Sequence, residues 1–179
     1  MIYFTADTHF GHGNIIKLCN RPFESGKEHD WELIERWNSL VRPEDTVYHL
    51  GDFGFGSPNF LSSIRERLNG KIHMVWGNHD KRQKRKKISH LFDTVQDYLE
   101  ITVQEPAEPK PKKVFIVMFH YPILSWNRKH YGSIQLHGHY HNAALPFLLK
   151  NTVNVGVDNW NFFPVSYEQI KSFLAREGE

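Results

Sequence analysis

Lys71-Ile72-His73-Met74-Val75-Trp76-Gly77-Asn78-His79-Asp80 is the stretch on which the fold of this chain can be read. Its first six residues form a short apolar run that predicts a buried strand. The four that follow are poor core material, yet they bring an amide oxygen, an imidazole and a carboxylate to one place. Amide and carboxylate oxygens suit hard or borderline cations, and imidazole suits first-row transition metals. A plain turn would use the same residue types, because Gly, Asn and Asp dominate turns for backbone reasons. Turn or site is decided by what the other strands carry at their ends.

Upstream, Ile2-Tyr3-Phe4-Thr5 predicts a strand that runs at once into Asp7-Thr8-His9. Alternate side chains of an extended segment share one side, so Asp-x-His can offer both groups to one cation. A turn aspartate beside a chance histidine is the plain alternative. Thr46-Val47-Tyr48-His49-Leu50 is a second strand, β-branched and aromatic, closed by Gly51-Asp52; His49 lies inside it and reads as structural. Between the two strands, Asn14 is placed to N-cap a short helix from about Ile15, and His12, Asn14 and Arg21 are candidates to face a ligand. Glu28 to Val41 carries apolar residues at Trp31, Ile34, Trp37 and Val41, an amphipathic helix closed by Pro43, which places both tryptophans in the core. Ser57-Pro58 reads as an N-cap and first helical position, with Phe60, Leu61, Ile64 and Leu68 on one face.

Downstream, six of the seven residues Lys81–Lys87 are basic, either a solvated, partly helical face or a rail for phosphates. Strands are expected at about Thr94–Tyr98 and Leu99–Val103, joined by the polar, Pro-rich 105–111 segment to Val114–Phe119, which His120 terminates. Ser133–His137 is another strand, ending in Gly138-His139-Tyr140-His141, where His-x-His again presents two imidazoles in one direction. Thr152–Val155 is expected as the last strand, and Ser166-Tyr167-Glu168-Gln169 as a capping box opening a C-terminal helix.

At 179 residues, 40% hydrophobic and 23% charged, the chain is the size of one globular domain, residues 1–179. No apolar run approaches the ~20 residues of a membrane span, and the strand-like start carries no basic flank of a signal peptide. The single cysteine, Cys19, excludes an internal disulfide and fits a reducing, cytoplasmic setting. A net charge of +2 does not by itself imply a nucleic-acid partner. Histidine is the outlier, with twelve in the chain. His29, His73, His90 and His130 fall away from strand ends and read as surface or packing residues.

Five strands thus end in metal-competent residues: Asp7 and His9, Asp52, Asn78, His120, and His139 with His141. Ligands of open α/β sheets bind outside the carboxyl ends of strands. Seven ligands exceed the three or four of a single zinc-type site and suit two cations sharing a carboxylate bridge. The order Asp7-x-His9, Gly51-Asp52, Gly77-Asn78-His79-Asp80, His120, Gly138-His139-x-His141 resembles the calcineurin-like metallophosphoesterase family over nearly the whole chain. Asp7-Thr8-His9-Phe10-Gly11-His12 is similar to the small stand-alone bacterial and phage members without a cap domain.

The resemblance implies an α/β fold of two facing mixed β-sheets flanked by helices, a four-layer αββα sandwich with the metals at one edge. It implies that Asp7, His9 and His141 hold one metal, that Asn78, His120 and His139 hold the other, and that Asp52 bridges them. It further implies in-line attack on phosphorus by a bridging hydroxide between two metals roughly 3.5–4 Å apart, with His79 assisting the leaving oxygen and Asp80 orienting its ring. Manganese is the expected metal, with iron, zinc, nickel or cobalt open because no cysteine is a ligand. The expected substrate is a small phosphoester, with diesters favoured over monoesters. The alternatives are a nuclease using Lys81–Lys87 as a phosphate rail, and a non-catalytic interaction module on the same fold.

Overall fold

The computed structural model describes residues 1–145 and 149–177. In chain order the elements are β1 (Ile2–Thr5), α1 (Ile15–Leu18), α2 (Gly26–Leu40), β2 (Thr46–His49), α3 (Pro58–Arg65), β3 (Lys71–Val75), α4 (Arg82–Ile88), β4 (Thr94–Gln96) and β5 (Tyr98–Glu105). They continue with β6 (Lys112–Phe119), β7 (Ile134–His137), β8 (Thr152–Asn154), β9 (Val165–Ser166) and α5 (Tyr167–Glu177).

Two mixed sheets result. The first has the order β4-β3-β2-β1-β9, with β1 to β4 parallel and β9 antiparallel to β1. The second has the order β5-β6-β7-β8, an antiparallel β5–β6 hairpin followed by parallel β7 and β8. Period-two alternation divides the first sheet between two cores. Phe4, Leu50 and Val75 meet Ile116, Met118, Leu136 and Val153 of the second sheet. Tyr3, Val47, Ile72 and Met74 turn the other way, onto Leu33, Ile34 and Trp37 of α2 and Leu61 and Ile64 of α3. Burying each such side chain is worth about 1.5–3 kcal/mol, and burial on both faces explains why these strands read as continuous apolar runs.

The outer face of the second sheet is covered differently. Arg128 lies 4.0 Å over the Phe115 ring, Asn127 donates to Glu100 at 2.8 Å, and buried Trp126 donates to Ser133 at 3.0 Å. The 121–133 segment therefore lies there, while α5 seats Tyr167 and Ile170 in the core between the sheets.

Several local expectations hold and some need correction. Ser57 caps α3 by accepting from Phe60 N, and Ser166 and Gln169 form the reciprocal capping box, while α2 starts at Gly26 rather than Glu28, capped by Ser25, which accepts from Glu28 N. The last strand is β9, not Thr152–Val155; two residues pairing with β1 are too short for a periodic signal. Trp31 is 51% exposed, not core: the buried stripe of α2 runs through His29, Leu33, Ile34 and Trp37, which leaves Trp31 on the flank.

Candidate metal centre

The parallel strands of both sheets point their carboxyl ends to one edge. Backbone bonds past the strand ends hold the loops in register there: Asp7 N to Gly51 O, His9 N to Asp52 O and Gly138 N to His120 O, each 3.0 Å. The chain then turns sharply. Asp7 (φ 58), His9 (φ 51), Asp52 (φ 58), His139 (φ 72) and His141 (φ 49) all occupy the left-handed region. Non-glycine residues enter it at a cost, and such strain gathers at functional sites. Two glycines make room for the carboxylates: a Cβ on Gly77 would collide with Asp52 Oδ1, and one on Gly138 with Asp7 Oδ2.

These turns bring all seven sequence-expected ligands together. Donor atoms of Asp7, His9 and His141 lie within 4.8 Å of one another, as do those of Asp7, Asp52 and His120. Asn78 Oδ1 sits 2.8 Å from His120 Nε2 and 3.0 Å from His139 Nδ1. Asp52 Oδ2 stands between the two groups, 3.7 Å from His9 Nε2 and 3.5 Å from His120 Nε2. Asp7 Oδ1 and both ring nitrogens of His9 are buried without a hydrogen-bond partner. Orphaned polar atoms of this kind are costly unless something pairs with them. A set of oxygens and imidazoles with three such orphans fits divalent cations.

The charges are coupled tightly. Burial pushes Asp7 up to about 6, despite nearby histidines and the His139 N–H. Burial pushes His9 down to about 2, which keeps it neutral and ready to ligate. Burial would also lower His120, but Asp52 and Asp7 outweigh it and hold the imidazole at about 8. The converse applies to Asp52, which burial would raise but which His120, His9 and the His79 N–H bring down to about 2.

Second partners aim the rings. His120 Nδ1 donates to Leu50 O at 2.7 Å, which leaves Nε2 toward the centre. His141 Nδ1 pairs with Asp158 Oδ2 at 2.8 Å. Ligating histidines commonly engage a carboxylate or carbonyl in this way, which fixes tautomer and orientation. Asp158 stands in the Asn154–Trp160 segment, which the sequence marks as able to shape the pocket but not as the source of a partner for a ligand; the signal for that role is its position just past β8, another carboxylate beyond a strand end.

The remaining expectations are placed as follows. His79 is exposed at the mouth, its N–H donating to Asp52 Oδ1 at 2.8 Å and its ring 5.5 Å from that of His9. Asp80 does not orient that ring. Its buried carboxylate accepts from the backbone N–H groups of Asp52 (2.7 Å), Gly77 (2.8 Å) and Phe53 (3.3 Å), tying the β2 and β3 loops together. Arg21 is buried, not open to a substrate, and holds Asp158. Asn14 is exposed and makes no side-chain cap for α1. His12 stacks on Phe55 at 4.1 Å and lies 5.6 Å from His9, beside the site. In the basic run, Lys84 donates to Gly54 O and Arg85 to Gly77 O and Asp97, so these two serve the fold. Cys19 is half-buried, its Sγ within 4.8 Å of ligand atoms of His141 and Asp158, and burial raises its thiol to about 11.

Residues 1–155 match the calcineurin-like phosphoesterase superfamily domain. The chain belongs to that superfamily. It is 36% identical to an uncharacterized protein of Methanocaldococcus jannaschii, over 98% of this chain and 92% of that one. It is 28% identical to the Gene 66 protein of Mycobacterium phage D29, over 89% of each. Among solved structures it resembles a protein of unknown function from Aquifex aeolicus, with a TM-score of 0.69 and 26% identity over 97% of this chain and 98% of that one. Superfamily and donor set together support a metal-dependent hydrolase acting on phosphoesters. Among the described residues no helix is long and apolar enough to cross a membrane.

Proposed function

We propose that this domain is a phosphodiesterase that works with two divalent transition metals, manganese first among them. The observation that carries the reading is Asp52, whose carboxylate stands between His9 and His120 and so between two groups of donors. Asp7, His9 and His141 would hold one cation, Asn78, His120 and His139 the other, and Asp52 both. Two cations held there would supply Lewis-acid polarisation of a phosphoryl oxygen and a source of hydroxide near neutral pH. The protein's own part is to fix these donors, through the glycine-cleared turns and the Asp80 tie. His79, exposed at the mouth and outside both donor groups, would donate a proton to the departing oxygen. Manganese suits a set of oxygens and imidazoles without thiolate.

The diester preference rests on openness. Asn78 and His79 are exposed at the edge of the sandwich, so an ester with two substituents has room there. We place the substrate among small esters and the protein in the cytoplasm, in keeping with its lone packing cysteine. Lys81, Arg82, Lys86 and Lys87 are exposed next to the site, which keeps a nuclease as the second reading. The test is hydrolysis of bis(p-nitrophenyl) phosphate against p-nitrophenyl phosphate by chelated, manganese-reloaded protein. The diester should turn over faster; a clear monoester preference would overturn the substrate reading. Steep salt dependence on an oligonucleotide, absent for the nitrophenyl diester, would favour the nuclease.

A further inference from the structure

Behind the donor groups lies a chain of buried polar side chains that no metal ligand accounts for. Arg21 is at its centre. A guanidinium has five N–H donors in a fixed fork, and here all five are spent: Nε on Asp158 Oδ1 (2.8 Å), one terminal nitrogen on Asp158 Oδ2 (2.8 Å) and Asp7 O (2.8 Å), the other on Thr8 O (3.2 Å) and His29 Nε2 (2.8 Å). Since Arg21 can only donate, His29 Nε2 accepts, and its Nδ1–H therefore donates to Asp30 Oδ1 at 2.9 Å. Asp30 in turn accepts from Gly11 N, at the foot of the loop bearing His12.

Apart from the bond to His29, these contacts lead to one half of the centre. The carbonyls of Asp7 and Thr8 belong to the strained turn that presents Asp7 and His9. Asp158 carries the ring of His141. By contrast His120 is aimed by Leu50 O, and Asn78 and His139 by each other, with no bond to Arg21. We infer that Arg21 is a positioning residue for the Asp7–His9–His141 half alone, setting the affinity of that half for its cation without touching cation or substrate. This rests on the two-metal reading above. Lysine cannot replace it, because an ammonium has three donors and no planar fork to match a carboxylate.

The experiment counts manganese on the whole chain by calorimetry and by electron paramagnetic resonance, for wild type, Arg21→Lys, Arg21→Gln, Asp158→Asn and the Arg21→Gln/Asp158→Asn double variant. Each single variant should keep one cation at wild-type affinity and bind the other about 10–100-fold more weakly, the usual cost of losing an outer partner of a metal ligand. The spectrum of a coupled manganese pair should give way to that of isolated manganese. The double variant should lose less affinity than the two single losses combined, since the Arg21–Asp158 pair is common to both. Adding His120→Ala to Arg21→Lys should leave no cation bound at wild-type affinity, whereas adding His9→Ala should leave one. Unchanged binding, or equal weakening of both cations, would overturn the assignment; equal weakening with a lowered melting temperature is what a merely structural arginine predicts. If Arg21→Gln does not fold, Arg21→Lys and Asp158→Asn carry the same comparison. Two cations in wild type without hydrolysis would count against the activity and leave this inference standing, whereas fewer than two would overturn both.

Discussion

Loading the metal-free protein with manganese at pH 7 should release about one proton, or slightly more, per chain. The source is His120, held at about 8 because Asp52, 3.5 Å away, and Asp7 outweigh the burial that would lower it. Its Nδ1 is committed to Leu50 O, so Nε2 is the nitrogen that must give up its proton to a cation. A group of pKa 8 is roughly nine-tenths protonated at pH 7, and ligation requires the neutral ring. Asp7, raised by burial to about 6, adds roughly a tenth of a proton. His141 contributes in the same direction: burial would lower it, but Asp158 and Asp7 raise it. His9, pushed down to about 2, contributes none. By pH 9 the His120 share should fall to roughly a tenth. The same linkage acts on the metal-free fold. The folded pKa of His120 exceeds the unfolded value of about 6.5, so its stabilisation is complete below pH 6.5 and is lost as pH rises through 8. The loss is on the order of 2 kcal/mol. Calorimetric titration with manganese in buffers of different ionisation enthalpy measures the release, and melting of chelated protein at pH 6 and pH 8.5 measures the stability. Zero release at pH 7, or chelated protein as stable at pH 8.5 as at pH 6, would refute the placing of His120 against both carboxylates.

Other perturbations give distinct signatures. Asp52→Asn should lower the affinity for both cations together, because its Oδ2 lies within 3.7 Å of His9 and 3.5 Å of His120; one full equivalent of manganese retained after dialysis would contradict this. His79→Ala should keep both metals and the melting temperature yet lose about 10²–10⁴-fold in kcat on alkyl esters, and much less on nitrophenyl esters, whose leaving group departs without a proton. Wild-type rates on both ester types in that variant would remove His79 from the mechanism. Gly77→Ala, whose Cβ would run into Asp52 Oδ1 and lie 2.5 Å from Asp52 N, should cost about 1–3 kcal/mol and lower metal content; a variant that melts and binds manganese as wild type does would show that the turn can give way.

How far this protein can be read from its sequence follows from where each signal is written. The candidate donors were legible because strand-end chemistry is local: an apolar run and the polar residue that stops it are neighbours in the chain, as in Met74-Val75-Trp76-Gly77-Asn78. Repeated at Asp7, Asp52, His120 and His139, that pattern pointed to the edge at which the donors meet, whereas the two-sheet architecture followed only from the resemblance to the metallophosphoesterase family. The partners behind the ligands were not legible. Arg21 and Asp158 are 137 positions apart, and Arg21 read as a substrate contact until the fold buried it against that carboxylate. The resemblance implies that Asp80 orients the ring of its chain neighbour His79, but the β2–β3 pairing places the backbone amides of Asp52 and Phe53 within its reach instead. Trp31 and the two-residue β9 likewise depended on which face met a neighbour. Residue type and period determine which groups can ligate and which strand ends present them. Only the packed chain decides which buried charge answers which, because a buried polar group pairs with whatever partner the fold brings within hydrogen-bond distance, however far away it lies in the sequence.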